Sequence, residues 1–362
     1  MFSERHFPNQ ILPEKLDEYL AKGWYRMGQT IFTTHFLFFH RNLYSAIWTR
    51  LPLKGYKFRK RLRKIMNRNQ RRFQTVIRPA DLNAEKEALF QAYKKNFPEF
   101  QSPTLADYLG EGRSGNIFNS MEACVYDGDR LAAFSIFDLG ANSMASIVGV
   151  YSPDYQSFSL GFYTLLLEIA FGLENGFEFY YPGYIVPGRP KFDYKRRIGT
   201  PDEVEFFDLR TSEWLPLIYL NEQEIPVNKI TRKLGKVHTE LRTVDILSQM
   251  LYYPSYDWGM TLFDPKYRLD APIFLSIFPD KFVLSPKYVV SYHFWKDTWS
   301  LCTAMRFEDL AFSSGKHAET DWEKHRLFMD AILKKETLIE SDDYLDIVGA
   351  IIRIYTQYSR NK

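Results

Sequence analysis

From Leu160 to Leu173 the chain carries Leu, Phe, Tyr, Ile and Ala on nearly every side of a helix. A helix with no polar face has to pack against a sheet inside a core. What flanks it supplies that sheet. Asp127-Gly128-Asp129 is a tight hairpin signal between Ala123–Tyr126 and Leu131–Leu139, and a Gly140–Asn142 turn leads into Met144–Tyr151. After the stop at Asn175-Gly176 a further strand, Phe177–Tyr181, follows. Strand–helix–strand with short connections predicts a right-handed crossover onto a parallel neighbour. The expected fold class is α/β (α+β), a mixed sheet with flanking helices.

The 362 residues leave room for more than this unit. Pro13–Lys22 reads as an amphipathic helix, Trp24–Phe39 as strands, Phe73–Arg78 as a strand and Asn83–Asn96 as a helix. Beyond about Arg210, Ile225–Met250 contains helix-forming stretches, Phe274–Phe278 and Phe282–Trp295 read as strands, and Asp321–Tyr358 as two helices. Three regions are expected: a basic one at 1–72, a catalytic one at 73–210, and an α/β extension of unassigned role at 211–362.

Charge separates along the chain. Residues 1–72 hold sixteen Lys and Arg against four Asp and Glu, net +12, while the other 290 hold 31 against 40, net −9. Lys57, Arg59, Arg61, Arg63, Lys64, Arg68, Arg71 and Arg72 cluster with no acidic residue between them. A run of this kind suits a polyanion, because each neutralised phosphate releases condensed counterions. It also suits a solvated helix or an anionic membrane surface. No apolar run approaches the roughly 20 residues of a spanning helix, and Cys124 and Cys302 lie far apart. A cytoplasmic protein without a multi-cysteine metal site is expected, and none of the seven histidines has ligand spacing.

Two stretches carry the chemistry. In Tyr151–Tyr163, small residues at Ser157, Ser159 and Gly161 precede the apolar helix, whose first N–H groups suit an anionic or carbonyl oxygen. A serine N-cap explains the same residues equally simply. In Tyr180–Lys195, four tyrosines and two lysines leave a strand end, where open sheets place ligands.

With these residues the chain resembles the arginyl-tRNA–protein transferases and the related bacterial leucyl-tRNA–protein transferases. Tyr151, Pro153, Asp154, Ser159, Leu160, Gly161 and Tyr163 match one family motif; Tyr181, Gly183, Tyr184, Lys191, Tyr194 and Lys195 match a second. Tyr19–Gly28 is similar to a Gly-Trp-Arg-Arg-x-Gly segment, and Arg59–Arg72 to a basic stretch, so the likeness runs over about Leu12–Gly199.

The resemblance implies an N-acetyltransferase-like fold, with an aminoacyl-tRNA as donor and the α-amino group of a protein as acceptor. It implies substrate contacts at Tyr151, Asp154, Ser157, Ser159, Leu160, Gly161, Tyr163 and Tyr181, and tRNA contacts along the basic run. Tyr184 and Tyr194 are expected as hydrogen-bond donors or proton relays. Lys191 and Lys195 are expected as charge partners of the tRNA terminus or an acidic acceptor. No resident cofactor is implied. Phe36–Trp48 lacks the family's cysteine cluster, and Gly188-Arg189-Pro190 stands where a further cysteine is expected. Metal or redox regulation is therefore not carried over. An N-acyltransferase using acyl-CoA, and a tRNA-binding relative without turnover, remain open alternatives.

Overall fold

The computed structural model describes residues 3–39, 42–96, 102–110, 115–253, 267–269, 271–278, 287–306 and 332–360. In chain order the first elements are β1 (Ser3–His6), α1 (Pro13–Ala21), β2 (Tyr25–Met27), β3 (Thr30–Thr34), β4 (Phe36–Phe39), β5 (Asn42–Ser45), β6 (Ile47–Pro52) and α2 (Lys60–Gln70). Next come β7 (Gln74–Pro79), α3 (Ala84–Lys94), α4 (Leu105–Leu109), β8 (Ser120–Asp127), β9 (Arg130–Leu139), β10 (Ser143–Tyr151), α5 (Leu160–Glu174) and β11 (Phe179–Ile185). The remainder are β12 (Glu205–Asp208), β13 (Glu213–Pro216), α6 (Pro226–Thr243), β14 (Ser248–Tyr252), β15 (Ile273–Ile277), β16 (Tyr288–His293), β17 (Thr298–Arg306), β18 (Ile332–Ser341) and α7 (Tyr344–Arg360). They divide into two compact units, one of residues 4–34 and 46–220, the other of 1–3, 35–45 and 221–362.

The larger unit is built on an eight-stranded sheet in the order β13-β12-β6-β11-β10-β9-β8-β7. Its β7–β10 half is an antiparallel meander, and β10 pairs with β11 in parallel across the α5 crossover. This is the hairpin, apolar-helix and parallel-crossover order that the sequence predicts. Alternation along β9 separates the two faces. Phe134 and Ile136 join the core beneath α3 and α4, while Phe137 meets Phe171 of α5 at 5.6 Å. The basic run forms α2, whose Leu62 and Asn69 are buried. Arg26, in the Gly-Trp segment, is buried in an ion pair with Asp138 of β9 at 3.0 Å and stacks on Phe118 at 4.6 Å.

The smaller unit holds a five-stranded antiparallel sheet, β14-β15-β16-β17-β18, packed by α6 and α7. Here two expectations are corrected. Residues 332–341 are not helical: they form edge strand β18, because β17 supplies backbone partners from Arg306↔Ile332 to Trp299↔Ser341. Helix begins only at Tyr344, after the Ser341 hydroxyl has accepted the Asp343 N–H. Likewise α6 stops at Thr243, and Ser248–Met250 pair with β15. The expected strand residues 282–286 and helical residues 321–331 lie outside the described ones.

Candidate active site

The parallel strands β10 and β11 pair over three residues only, Ser143↔Phe179, Met144↔Tyr180 and Ala145↔Tyr181, and then diverge. Both strands bulge just past that point, β10 between Ser146 and Val148 and β11 between Tyr180 and Gly183. Pro182 has no N–H to give to a ladder, and Gly183 takes φ +92°, a conformation open to glycine. The result is a V-shaped opening whose apex lies at Ala145 and Tyr181.

Beyond the divergence the first turn of α5 lies against β10: a Cβ on Gly149 would sit 3.6 Å from Thr164 Oγ1 and 3.9 Å from the Gly161 carbonyl oxygen. Ser159 adopts a left-handed φ of +56°, and its side chain forms no capping bond. Its carbonyl accepts the N–H groups of Phe162 and Tyr163 at 3.0 and 2.9 Å. The N–H groups of Leu160 and Gly161 have no acceptor among the described residues. Two donors at a helix N-terminus are thus left for an incoming oxygen. Gly161 is required by packing: a Cβ there would sit 2.9 Å from Cδ1 of Tyr151.

A second group gathers on β11 and the 190–198 turn. The Lys195 Nζ donates to the Tyr184 carbonyl at 3.0 Å and lies 5.0, 5.8 and 5.9 Å from the ring centres of Tyr184, Phe192 and Tyr194. It fills the space where a Cβ on Gly183 would point, 3.0 Å away. No carboxylate pairs with it among the described residues, and burial pushes its ammonium down to about 8. Tyr184 packs edge-on against Trp48 at 5.1 Å, and burial pushes its hydroxyl up to about 12. Tyr194 meets Phe162 of α5 at 6.4 Å, and burial, with Glu168, Tyr108 and Tyr184 nearby, raises its hydroxyl. A desolvated cation walled by aromatic rings, with ammonium protons to spare, has the chemistry to hold a small anionic or carbonyl group.

Helix α2 is tied to the loop that leads into α5. Arg68 Nη2 and Asn69 Nδ2 donate to the carbonyls of Ser157 and Phe158, both at 3.1 Å. The guanidiniums of Arg68 and Arg72 lie 5.3 and 4.7 Å from the Phe158 ring. Arg59 donates to the Gly199 carbonyl at 2.6 Å, and Arg72 pairs with Asp127 at 2.8 Å. Lys57, Arg61, Arg63, Lys64 and Arg71 are exposed and make no ion pair among the described residues.

The other expected site residues are dispersed. Tyr181 is buried in an aromatic cluster, 5.5 Å from Trp214 and 6.1 Å from Tyr25. Tyr163 is buried with its hydroxyl unpartnered, and burial pushes it up to about 12. Tyr151 packs on Tyr93 at 5.2 Å, and exposed Asp154 pairs with Arg130, which lowers its carboxyl. Ser157 and Lys191 are exposed, Lys191 over Phe192 at 5.2 Å. Two residues were missed: Tyr108 on α4, whose hydroxyl is near those of Tyr184 and Tyr194, and Glu168 on α5. Glu168 had a signal, as the one charged residue between Leu160 and Leu173. Cys124 on β8 and Cys302 on β17 are both buried; the Cys124 sulfur lies 3.5 Å from Glu122 Oε1, and no group of three or more His, Cys, Asp or Glu gathers among the described residues.

Residues 71–204 match the model of a family described as "Arginine-tRNA-protein transferase, C terminus". Over this region the chain resembles the aminoacyl-tRNA–protein transferases. Its similarity to an aspartate/glutamate leucyltransferase of Leptospira interrogans is 26% identity over 214 residues, 58% of this chain and 81% of that protein. To arginyl-tRNA–protein transferase 1 of Saccharomyces cerevisiae it is 26% over 213 residues, 48% of this chain and 41% of the yeast protein. A GCN5-related N-acetyltransferase structure from Anabaena variabilis aligns at TM-score 0.29 and 9% identity, over 57% of this chain and 43% of its own. The family region spans β7 to β11, the 190–198 turn and the residues up to Val204.

Proposed function

We propose that the protein is an aminoacyl-tRNA–protein transferase that moves an amino acid, arginine or leucine, from charged tRNA to the N-terminal α-amino group of an acceptor protein. One observation carries this reading: the exposed basic helix α2 is fastened to the loop that opens α5, which sets a positively charged surface beside two unused N–H donors. An acyl-CoA enzyme has the second feature without need of the first. The family match and the names of the two relatives point the same way.

The ester of a charged tRNA is already activated, so the site has mainly to align an amine with the ester carbonyl and stabilise the oxyanion. Alignment supplies roughly 7–11 kcal/mol in the most favourable cases. Each oxyanion donor is worth about 3 kcal/mol in other acyl-transfer enzymes, and the N–H groups of Leu160 and Gly161 fill that role. Tyr184 and Tyr194 donate hydrogen bonds along the cleft wall, and Lys195 holds a substrate oxygen. Arg61, Arg63, Lys64 and Arg71 track tRNA phosphates. The reaction uses no resident cofactor and belongs in the cytoplasm, where charged tRNA is. Incubation with a pool of charged tRNAs and a peptide bearing N-terminal Asp or Glu yields a peptide longer by one residue; no product from any charged tRNA rejects the reading.

A further inference from the structure

Glu168 lies two turns into α5 with its side chain fully buried. Its Oε2 accepts the Tyr180 hydroxyl at 2.7 Å, and its Oε1 has no hydrogen bond among the described residues. Tyr180 pairs with Met144, one residue before the apex of the β10–β11 opening. The hydroxyls of Ser135 from β9 and Ser146 from β10, one residue beyond the last β10–β11 pair, lie beside this carboxyl, and the Tyr194 hydroxyl from the turn after β11 is close enough to feel its charge. No Lys, Arg or His acts on the carboxyl from any of these elements. A carboxyl buried against an apolar helix without a cation costs stability.

We propose that Glu168 is the proton acceptor of the transfer, reached from the cleft through the Tyr194 and Tyr180 hydroxyls. The proposal rests on the reading of function above. The acceptor arrives as an α-ammonium and cannot attack until it has lost a proton. That proton passes along the hydroxyls to the Glu168 carboxylate. The nitrogen lone pair then forms the C–N bond at the ester carbonyl, the C–O bond to the ribose breaks, and the second nitrogen proton goes to the ribose oxygen. Glu168 returns its proton to solvent by the same route. Burial pushes the carboxyl up to about 7, only partly offset by the Ser135, Tyr180 and Ser146 hydroxyls, which suits a proton acceptor at neutral pH.

The test is kcat against pH for the wild-type protein, E168Q and Y180F, with charged-tRNA affinity and thermal melting measured alongside. Wild-type kcat rises with pH through a limb near 7. In E168Q the limb disappears and kcat falls about 100-fold or more while tRNA affinity holds. Y180F removes a link of the relay and a hydrogen bond that favours the carboxylate, so kcat falls and the remaining limb moves to higher pH. E168Q activity within about threefold of wild type with the limb intact overturns the proposal. An unmoved limb in Y180F does so too, and decides alone if E168Q does not fold. Absence of transfer by the wild-type protein at every pH is a separate result, which removes the functional reading itself and this proposal with it.

Discussion

The ammonium of Lys195 sits 3.0 Å from the Tyr184 carbonyl oxygen, inside a wall of aromatic rings and without a carboxylate partner among the described residues. Burial lowers its pKa to about 8, so the unfolded chain binds this proton more tightly than the folded one. Protonation of Lys195 therefore opposes folding, in full below about pH 8 and fading as pH rises toward the ordinary lysine value of about 10.4.

Lys195→Met is thus expected to raise the melting temperature at pH 7, with the gain shrinking toward pH 10, while transfer is lost. Calorimetry across that range, paired with a transfer assay, checks it. A variant that is less stable at pH 7 and still active would show that Lys195 serves the fold.

The basic helix makes a quantitative prediction. Arg61, Arg63, Lys64 and Arg71 are exposed and unpaired among the described residues, so replacing all four by Ala leaves the packing of Leu62 and Asn69 intact. The salt slope of log K for tRNA is expected to fall by about 3–4 units, at roughly 0.7–0.9 per lost phosphate contact. An unchanged slope removes α2 from the tRNA-binding surface. Arg68 and Arg72 are poorer choices, because their contacts with the α5 loop and Asp127 would be lost as well.

Gly161→Ala places a methyl group 2.9 Å from the Tyr151 ring and forces the ring or the helix start to move. Overpacking of this kind costs about 1–3 kcal/mol. Chemical denaturation should show that loss, and Tyr151→Leu in the same chain should recover most of it. Recovery of stability without recovery of kcat would separate the packing role of Gly161 from the position of its N–H.

The sequence made the β8–β9–β10–α5–β11 core legible, because hairpin signals, an all-apolar helix and a Gly stop all act over short range. Missing from that reading was β6: a strand from 47–52, before the basic helix, that lies antiparallel to β11 in the middle of the sheet. Nothing local to Ile47–Pro52 specifies that neighbour. Ile332–Ser341 failed for the same reason, its strand state being imposed by β17. At the site, Tyr184, Tyr194 and Lys195 were legible as a cluster because one strand end and one turn hold all three. Tyr181 was not separable from them in sequence, yet a one-residue alternation puts Tyr180 against Glu168 and Tyr181 among Tyr25 and Trp214.

Intact-mass spectrometry of an acceptor peptide tests the central claim most directly. Purified protein, a full pool of charged tRNAs and a peptide with N-terminal Asp or Glu are predicted to give a product heavier by one amino-acid residue, with the mass naming the residue and digestion with ribonuclease abolishing the reaction. A mass gain that survives ribonuclease and requires acyl-CoA would contradict it.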